Sequence, residues 1–256
     1  MLDIIYRDEY LVAIHKPSGL LVHRSMIDRH ETRFAMQMTR DQIGQRVYPV
    51  HRLDKGTSGV LLFALDPAVA ARLGSAFERQ EVDKHYLAIV RGHPDEQGMV
   101  DHPLTRRSDA LAYEDRTEDF SRQSALTHYR RLATAEIPYA IPPYSASRYA
   151  LMELRPKTGR RHQLRRHMKH IAHPIIGDAT FGKGQHNRLF ARLYGINRLL
   201  LACVRMRLSH PCRHAMLDLY APPAEDFTDV AMQLGWRIGR ERDYTCWCEG
   251  MQSDSG

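Results

Sequence analysis

Leu11-Val12-Ala13-Ile14 is an apolar run that stops at Lys16-Pro17-Ser18-Gly19. It predicts a short buried strand closed by a Pro/Gly turn, after which Leu20-Leu21-Val22 resumes the extended pattern as a hairpin-like opening. Val60-Leu61-Leu62-Phe63-Ala64 reads as a second buried strand. Asp66-Pro67 then offers a helix cap with proline at the first helical position, and Val69, Leu73 and Phe77 recur at four-residue spacing along the helix that follows. Tyr86-Leu87-Ala88-Ile89-Val90 is apolar on both alternating faces, as a strand covered on both sides must be, and it ends at Arg91-Gly92.

From Thr105 to Arg122 charges of both signs mix without apolar periodicity, which predicts a solvated excursion between strands. Ser124 to Leu132 and Ser147 to Leu154 read as strands flanking a loop with Pro138, Pro142 and Pro143. Leu199 to Leu201, Met206 to Leu208 and Met216 to Leu219 read as closing strands, and Phe227, Val230 and Leu234 have helical spacing. Strands outnumber helices and no regular βαβ alternation or internal repeat appears. The expected class is α+β, with a mixed, mostly antiparallel sheet and flanking helices.

Composition narrows the function. The chain has 256 residues, with 37 Lys plus Arg against 30 Asp plus Glu, so its formal charge is +7 and a polyanionic partner is favoured. Hydrophobic residues at 43% and charged residues at 26% exclude disordered and collagen-like classes. No apolar run is long enough to span a bilayer, and the acidic start Met1-Leu2-Asp3 lacks the features of a secretory signal, so no membrane association and a cytoplasmic location are expected. The four cysteines lack zinc-site spacing, and Cys246-Trp247-Cys248 is read as two incidental thiols.

Three stretches carry candidate chemistry. In His51-Arg52-Leu53-Asp54-Lys55-Gly56-Thr57-Ser58-Gly59 a carboxylate sits in a Gly- and hydroxyl-rich turn before a strand, where Asp54 either projects into a cleft or caps its own loop. Leu154 to Gly177 contains seven Lys or Arg, four His and no acid. Within it His162 to Ile171 reads as a helix with Leu164, Met168 and Ile171 on one face and Arg161, Arg165 and Lys169 on another. Like charges stacked in this way call for an anion nearby, although a solvated basic helix is the plainer alternative. His162, His167, His170 and His173 have no Cys or carboxylate cluster beside them, so a metal site is not expected. In Lys84-His85-Tyr86 alternation places Lys84 and Tyr86 on the same side of a strand, facing either a cleft or the core.

In this order the three stretches resemble the signature of the RluA family of pseudouridine synthases. His51-Arg52-Leu53-Asp54 with Thr57-Ser58-Gly59 is similar to that family's aspartate motif, Lys84 to Gly92 to its tyrosine motif, and Thr158 to Arg165 to its arginine motif. Lys16-Pro17-Ser18-Gly19-Leu20 and His173-Pro174-Ile175-Ile176-Gly177-Asp178 also match. The resemblance implies the pseudouridine synthase fold with a central catalytic cleft, one catalytic domain over residues 1–240 and a polar tail over 241–256.

It further implies a cofactor-free, metal-free isomerase that breaks the bond between uracil N1 and ribose C1′, turns the base and rejoins it through C5. Asp54 would be the essential carboxylate, as nucleophile or as base toward a ribose proton. Arg165 would pair with it, and Tyr86 would stack on the base and assist loss of the C5 proton. Arg52 would enter the space left by the flipped nucleotide. Arg161, Arg166 and Lys169 would hold phosphates, with His51, Lys84, Arg160, His162 and Gln163 completing the RNA-binding set.

Two departures stand out. The catalytic opening begins at once, leaving no room for the S4-type RNA-binding module that many members carry. Leu201-Ala202-Cys203 stands where the family has Leu-His-Ala. The missing module, Val22-His23-Arg24-Ser25 and the Thr158 to Asp178 stretch resemble the branch acting on tRNA. That implies a uridine in the T-stem region, at position 65; separately, a monomer is expected. An rRNA-modifying sister enzyme and a non-catalytic RNA-binding protein are the alternatives. A carboxylate-based glycoside hydrolase would need a second catalytic acid that these motifs lack.

Overall fold

A computed structural model describes residues 1–24, 30–105 and 121–239. In chain order the elements are β1 (Asp3–Arg7), β2 (Leu11–Lys16), α1 (Ala35–Ile43), β3 (Tyr48–Pro49), β4 (Ser58–Ala64), α2 (Pro67–Glu78), β5 (Asp83–Arg91) and β6 (Gln97–Asp101). There follow β7 (Leu104–Thr105), β8 (Arg122–Gln123), β9 (Leu126–Ile137), β10 (Ser147–Pro156), α3 (Gln163–His170), α4 (Gly184–Tyr194), β11 (Leu201–Ser209), β12 (Met216–Tyr220) and α5 (Glu225–Gln233).

Ten strands form one mixed sheet in the order β1-β2-β4-β11-β5-β10-β9-β6, with β3 added to β4 and β12 to β11. Its pairings are antiparallel except β4 with β11, where Ser58 faces Ala202 and Gly59 faces Cys203. This is the expected α+β class. Alternation along β5 divides the core: Tyr86, Ala88 and Val90 pack with Val69 and Leu73 of α2 and Leu164 and Met168 of α3. Leu87 and Ile89 pack on the other face with Phe190 of α4 and Phe227 and Val230 of α5.

The local signals act as their chemistry requires. Asp66 Oδ1 accepts the N–H of Ala68 at 2.8 Å and of Val69 at 3.3 Å, capping α2. Leu20-Leu21-Val22 does not form a strand. Leu21 makes only an isolated bridge to Phe34, and the hairpin at the chain start is instead β1 with β2. β11 runs unbroken through Arg205, because Asp218 on β12 takes the guanidinium through its Nε and Nη2. β9 extends five residues past the expected Leu132.

The ends of the charged excursion pair as β7 and β8, while residues 106–120 lie outside the described set, as do the expected tail over 241–256 and Cys246 and Cys248. Among the described residues, no helix is long and apolar enough to cross a membrane.

Candidate active site

The loop carrying Asp54 is gripped from both sides. Lys16, fully buried, directs its Nζ at three carbonyl oxygens: Leu20 at 2.7 Å, Pro17 at 2.9 Å and Lys55 at 3.2 Å. Burial pushes its ammonium down to about 7, opposed by the charge of Asp54. Ser18 Oγ donates to the Gly56 carbonyl at 2.7 Å, and the Gly19 N–H to that of Lys55 at 2.8 Å. At the loop's exit Gly59 has φ +111, and a Cβ there would lie 2.0 Å from the Cys203 carbonyl oxygen, so only glycine lets β4 dock on β11.

Asp54 is thereby presented to the helix that the basic stretch forms. Its Oδ2 accepts from Nη1 of Arg165 at 3.1 Å, and its Oδ1 lies 3.8 Å from Nε2 of His162. His162 caps α3 in the left-handed region (φ 55), packs edge-on against Phe181, and is held below the ordinary imidazole range chiefly by burial.

Arg165 is fixed by Asp178, which receives its Nε at 2.7 Å and Nη2 at 2.8 Å and also accepts the N–H groups of Thr180 and Phe181 at 2.9 Å. Burial alone would raise the Asp178 carboxyl. The Arg165 guanidinium and those amides outweigh it and hold the group below the usual carboxylate range. The anions that neutralise Arg165 are thus two carboxylates of the protein itself. Motif reading gave Asp178 no role, and the fold makes it the main partner of Arg165.

Tyr86, on β5, enters the same cleft from below and is 9% exposed. Burial pushes its phenol well above the ordinary value, with Cys203 and Asp54 adding to the effect, so it stays protonated at neutral pH and presents an apolar ring with one hydroxyl. Cys203 lies opposite it on β11, while Ala202 points into the other core cluster.

A cleft of about 450 Å³, roomy enough for a nucleoside, is lined by Asp54, Tyr86, Arg165, Arg52, Lys84 and His162, and also by His51, Arg160, Arg161 and Gln163. The expected residues do not all face a ligand alike. His51 is turned inward, where its Nε2 accepts the Leu62 N–H at 3.0 Å and its ring stacks on Phe77, and burial pushes it down to about 3. Gln163 is buried. Its amide donates to the Leu126 carbonyl and Thr127 Oγ1 at 3.0 Å, and its Oε1 accepts from Thr158, so it frames the start of α3.

Lys84 is 8% exposed, with Nζ 5.8 Å above the Phe77 ring. Arg160 donates to the Ser124 carbonyl at 3.0 Å. Arg166 and Lys169 lie outside the cleft, the first donating to the Thr105 carbonyl at 3.0 Å and the second exposed beside Phe181. Among the described residues, no group of three His, Cys, Asp or Glu could hold a metal ion.

A carboxylate held by an arginine and a buried tyrosine line one cleft rich in basic side chains on a mixed sheet, the arrangement of a candidate enzyme site for an anionic substrate. Residues 10–170 match the RNA pseudouridylate synthase family, and the chain belongs to that family, which makes it an isomerase. It is 48% identical over 237 residues to the tRNA pseudouridine synthase C of Vibrio cholerae, covering 93% of this chain and 97% of that one. It is 49% identical over 236 residues to the enzyme of the same name from Yersinia pestis, covering 92% of each. Among solved structures, human RNA Pseudouridylate Synthase Domain Containing 4 superposes with a TM-score of 0.68 at 26% identity, covering 93% of this chain and 95% of that one.

Proposed function

We propose that this enzyme converts a uridine of tRNA, in the T-stem region at position 65, to pseudouridine, with Asp54 as the reacting carboxylate. The observation that carries the reading is the Asp54–Arg165–Asp178 array, in which a guanidinium fixed on one buried acid orients another toward an open cleft. The tRNA substrate is supported by the names of relatives that match nearly end to end.

The target nucleotide leaves its stack, an exchange costing a few kcal/mol, and its base lies over Tyr86. The N1–C1′ bond breaks, the base turns, and a C5–C1′ bond forms. C5 loses a proton and N1 gains one, so neither electrons nor protons change in number. Arg165 holds the Asp54 carboxylate in position for this step. Arg52, exposed at the cleft mouth, fills the vacated stack, and Arg160, Arg161 and Lys169 attract the flanking phosphates, with Arg166 beside them.

The test is tritium release from tRNA labelled at uridine C5, comparing wild type with Asp54→Ala. The wild type releases tritium and the variant does not, while tRNA Kd changes by less than about twofold, because one carboxylate in a basic cleft adds little to phosphate attraction. Release by both proteins would remove Asp54 from the chemistry. Release from rRNA but not from tRNA would move the substrate to the ribosome.

A further inference from the structure

On the face of the sheet that carries α4 and α5, a second pocket opens at the far end of β5. It encloses about 310 Å³, within the size range of small-molecule sites. Arg91 lines it, and alternation along β5 puts this side chain on the face of Leu87 and Ile89, away from the catalytic cleft. At about 3.3 Å per residue, Arg91 and Tyr86 are about 17 Å apart along the strand.

Three groups converge on the pocket. Arg91 has a fixed backbone: its N–H donates to the Pro174 carbonyl at 3.0 Å, and its own carbonyl accepts from His173 Nδ1 at 2.9 Å. Its guanidinium forms no hydrogen bond or ion pair among the described residues. Glu136, the acid on the pocket wall, is committed to Arg148, whose Nε it accepts at 2.6 Å.

His186 is buried in the first turn of α4, with Nδ1 at 2.9 Å from Tyr149 Oη in the core, which leaves Nε2 to the pocket. Burial, then the charges of Arg91 and Lys183, push this imidazole down to about 4, so at neutral pH it is an uncharged ring with one N–H. α4 starts at Lys183 with no side-chain cap and no acid in its first turn, and the positive end of its dipole adds to the potential at the ring.

Tyr144 supplies the apolar wall. Its N–H donates to the Ile141 carbonyl at 3.0 Å and its carbonyl accepts the Ile141 N–H at 3.1 Å, a tight turn through Pro142 and Pro143 that holds the exposed ring at the pocket rim. The core beneath is filled by Tyr149 and Phe190, packed edge to face, so packing demands neither Arg91 nor Tyr144. A guanidinium beside a neutral N–H suits a phosphate, and an exposed aromatic ring next to them suits a planar base.

We propose that this pocket is a second nucleotide site, in which Arg91 and the Nε2–H of His186 hold a phosphate and the base lies on Tyr144. The phosphate selects the tautomer in which the Tyr149 hydroxyl donates to Nδ1 and Nε2 carries the proton. The contacts are the same for a free nucleotide and for an unpaired nucleotide of an RNA; only the second source rests on the RNA-modifying reading above.

The test is calorimetric titration of the full chain with AMP and with inorganic phosphate, alongside the imidazole resonances of His186. The wild type takes AMP at least about tenfold more tightly than phosphate, and the His186 resonances move on saturation. Tyr144→Ala, a change in an exposed side chain, brings AMP down to the phosphate level, and Arg91→Gln weakens both ligands about tenfold. His186 resonances that stay in place at saturating AMP would assign the binding to the catalytic cleft and overturn the proposal. Unchanged AMP affinity in both variants would overturn it equally.

Fluorescence anisotropy with tRNA separates the two sources. Once AMP binding is established, a tRNA Kd about fivefold weaker in the Arg91→Gln/Tyr144→Ala double variant assigns the nucleotide to the RNA, and an unchanged Kd assigns it to a free nucleotide. Wild type that binds AMP here but makes no pseudouridine in tRNA would refute the assigned substrate and not this site.

Discussion

Arg165 lies edge-on to the buried carboxylate of Asp178, giving it Nε at 2.7 Å and Nη2 at 2.8 Å, so that Nη1 alone is left to face Asp54 at 3.1 Å. One acid sets the direction in which the arginine addresses the other. Asp178→Asn keeps the shape but turns an NH₂ toward the guanidinium donors. We expect the single-turnover rate to fall about 10- to 100-fold, with tRNA Kd within about twofold and stability lower by about 2–4 kcal/mol. Rapid quench and thermal denaturation measure both effects, and an unchanged rate in a folded variant would dismiss the alignment role.

Because burial holds Tyr86 as a phenol, the wild-type rate should show no basic limb from this group below about pH 10. Tyr86→Phe should lower the rate through lost polar contact yet leave the shape of the pH–rate profile unchanged. A basic limb that disappears in the Phe variant would mean that the phenol ionises during turnover.

Gly59→Ala places a methyl group 2.0 Å from the Cys203 carbonyl oxygen at φ +111 and should cost more than about 4 kcal/mol or abolish soluble expression. Gly74→Ala, inside α2 with open space around it, should instead stabilise by about 0.5–1 kcal/mol. Chemical denaturation of the pair separates the effect of β4–β11 docking from that of glycine replacement in general.

Asp8 ties the β1–β2 turn to the loop between β11 and β12, accepting from Tyr6 Oη at 2.7 Å, the Tyr10 and Leu11 N–H groups at 2.8 Å and His210 Nε2 at 2.8 Å. Burial raises its carboxyl, but these donors outweigh it and bring it down to about 2. The folded value is below the unfolded one, so the stabilisation is present above about pH 4 and lost as pH falls through about 2. Near the surface, where solvent screens it, the contribution is about 1 kcal/mol. Asp8→Asn should therefore lower stability by that amount at pH 7, and the gap between the two proteins should close on acidification. A gap constant down to pH 2 would exclude the carboxylate as its source.

The strands and the basic helix were legible where period and burial agree. Val60 to Ala64 and Tyr86 to Val90 are buried throughout, and Asp66-Pro67 caps as its chemistry dictates. α1 was not legible, because it buries only Ala35 and Thr39 and starts at Phe34 without a side-chain cap. β11 looked like two pieces because Arg205 interrupts it, and only the pairing with Asp218 across to β12 makes that arginine tolerable. At the site, the motif spacing brought Asp54 and Arg165 forward together. The role of Asp178 was hidden, since a buried acid gains its meaning from a partner that only the tertiary fold supplies. The inward turn of His51 toward the Leu62 amide was equally invisible to a pattern of polar residues.

The place of β11 in the sheet has a consequence for biogenesis. This strand, formed by Leu201–Ser209, lies between β4, which follows Asp54, and β5, which carries Tyr86. While the ribosome is still making the chain, the two early strands have no shared neighbour, and the halves of the cleft stay apart until a segment more than a hundred residues downstream is threaded between them. Such a high contact order makes folding slow. It also means that a chain ending before Leu201 lacks the strand that joins the carboxylate's half of the cleft to the tyrosine's, so the site is completed only by the last third of the sequence.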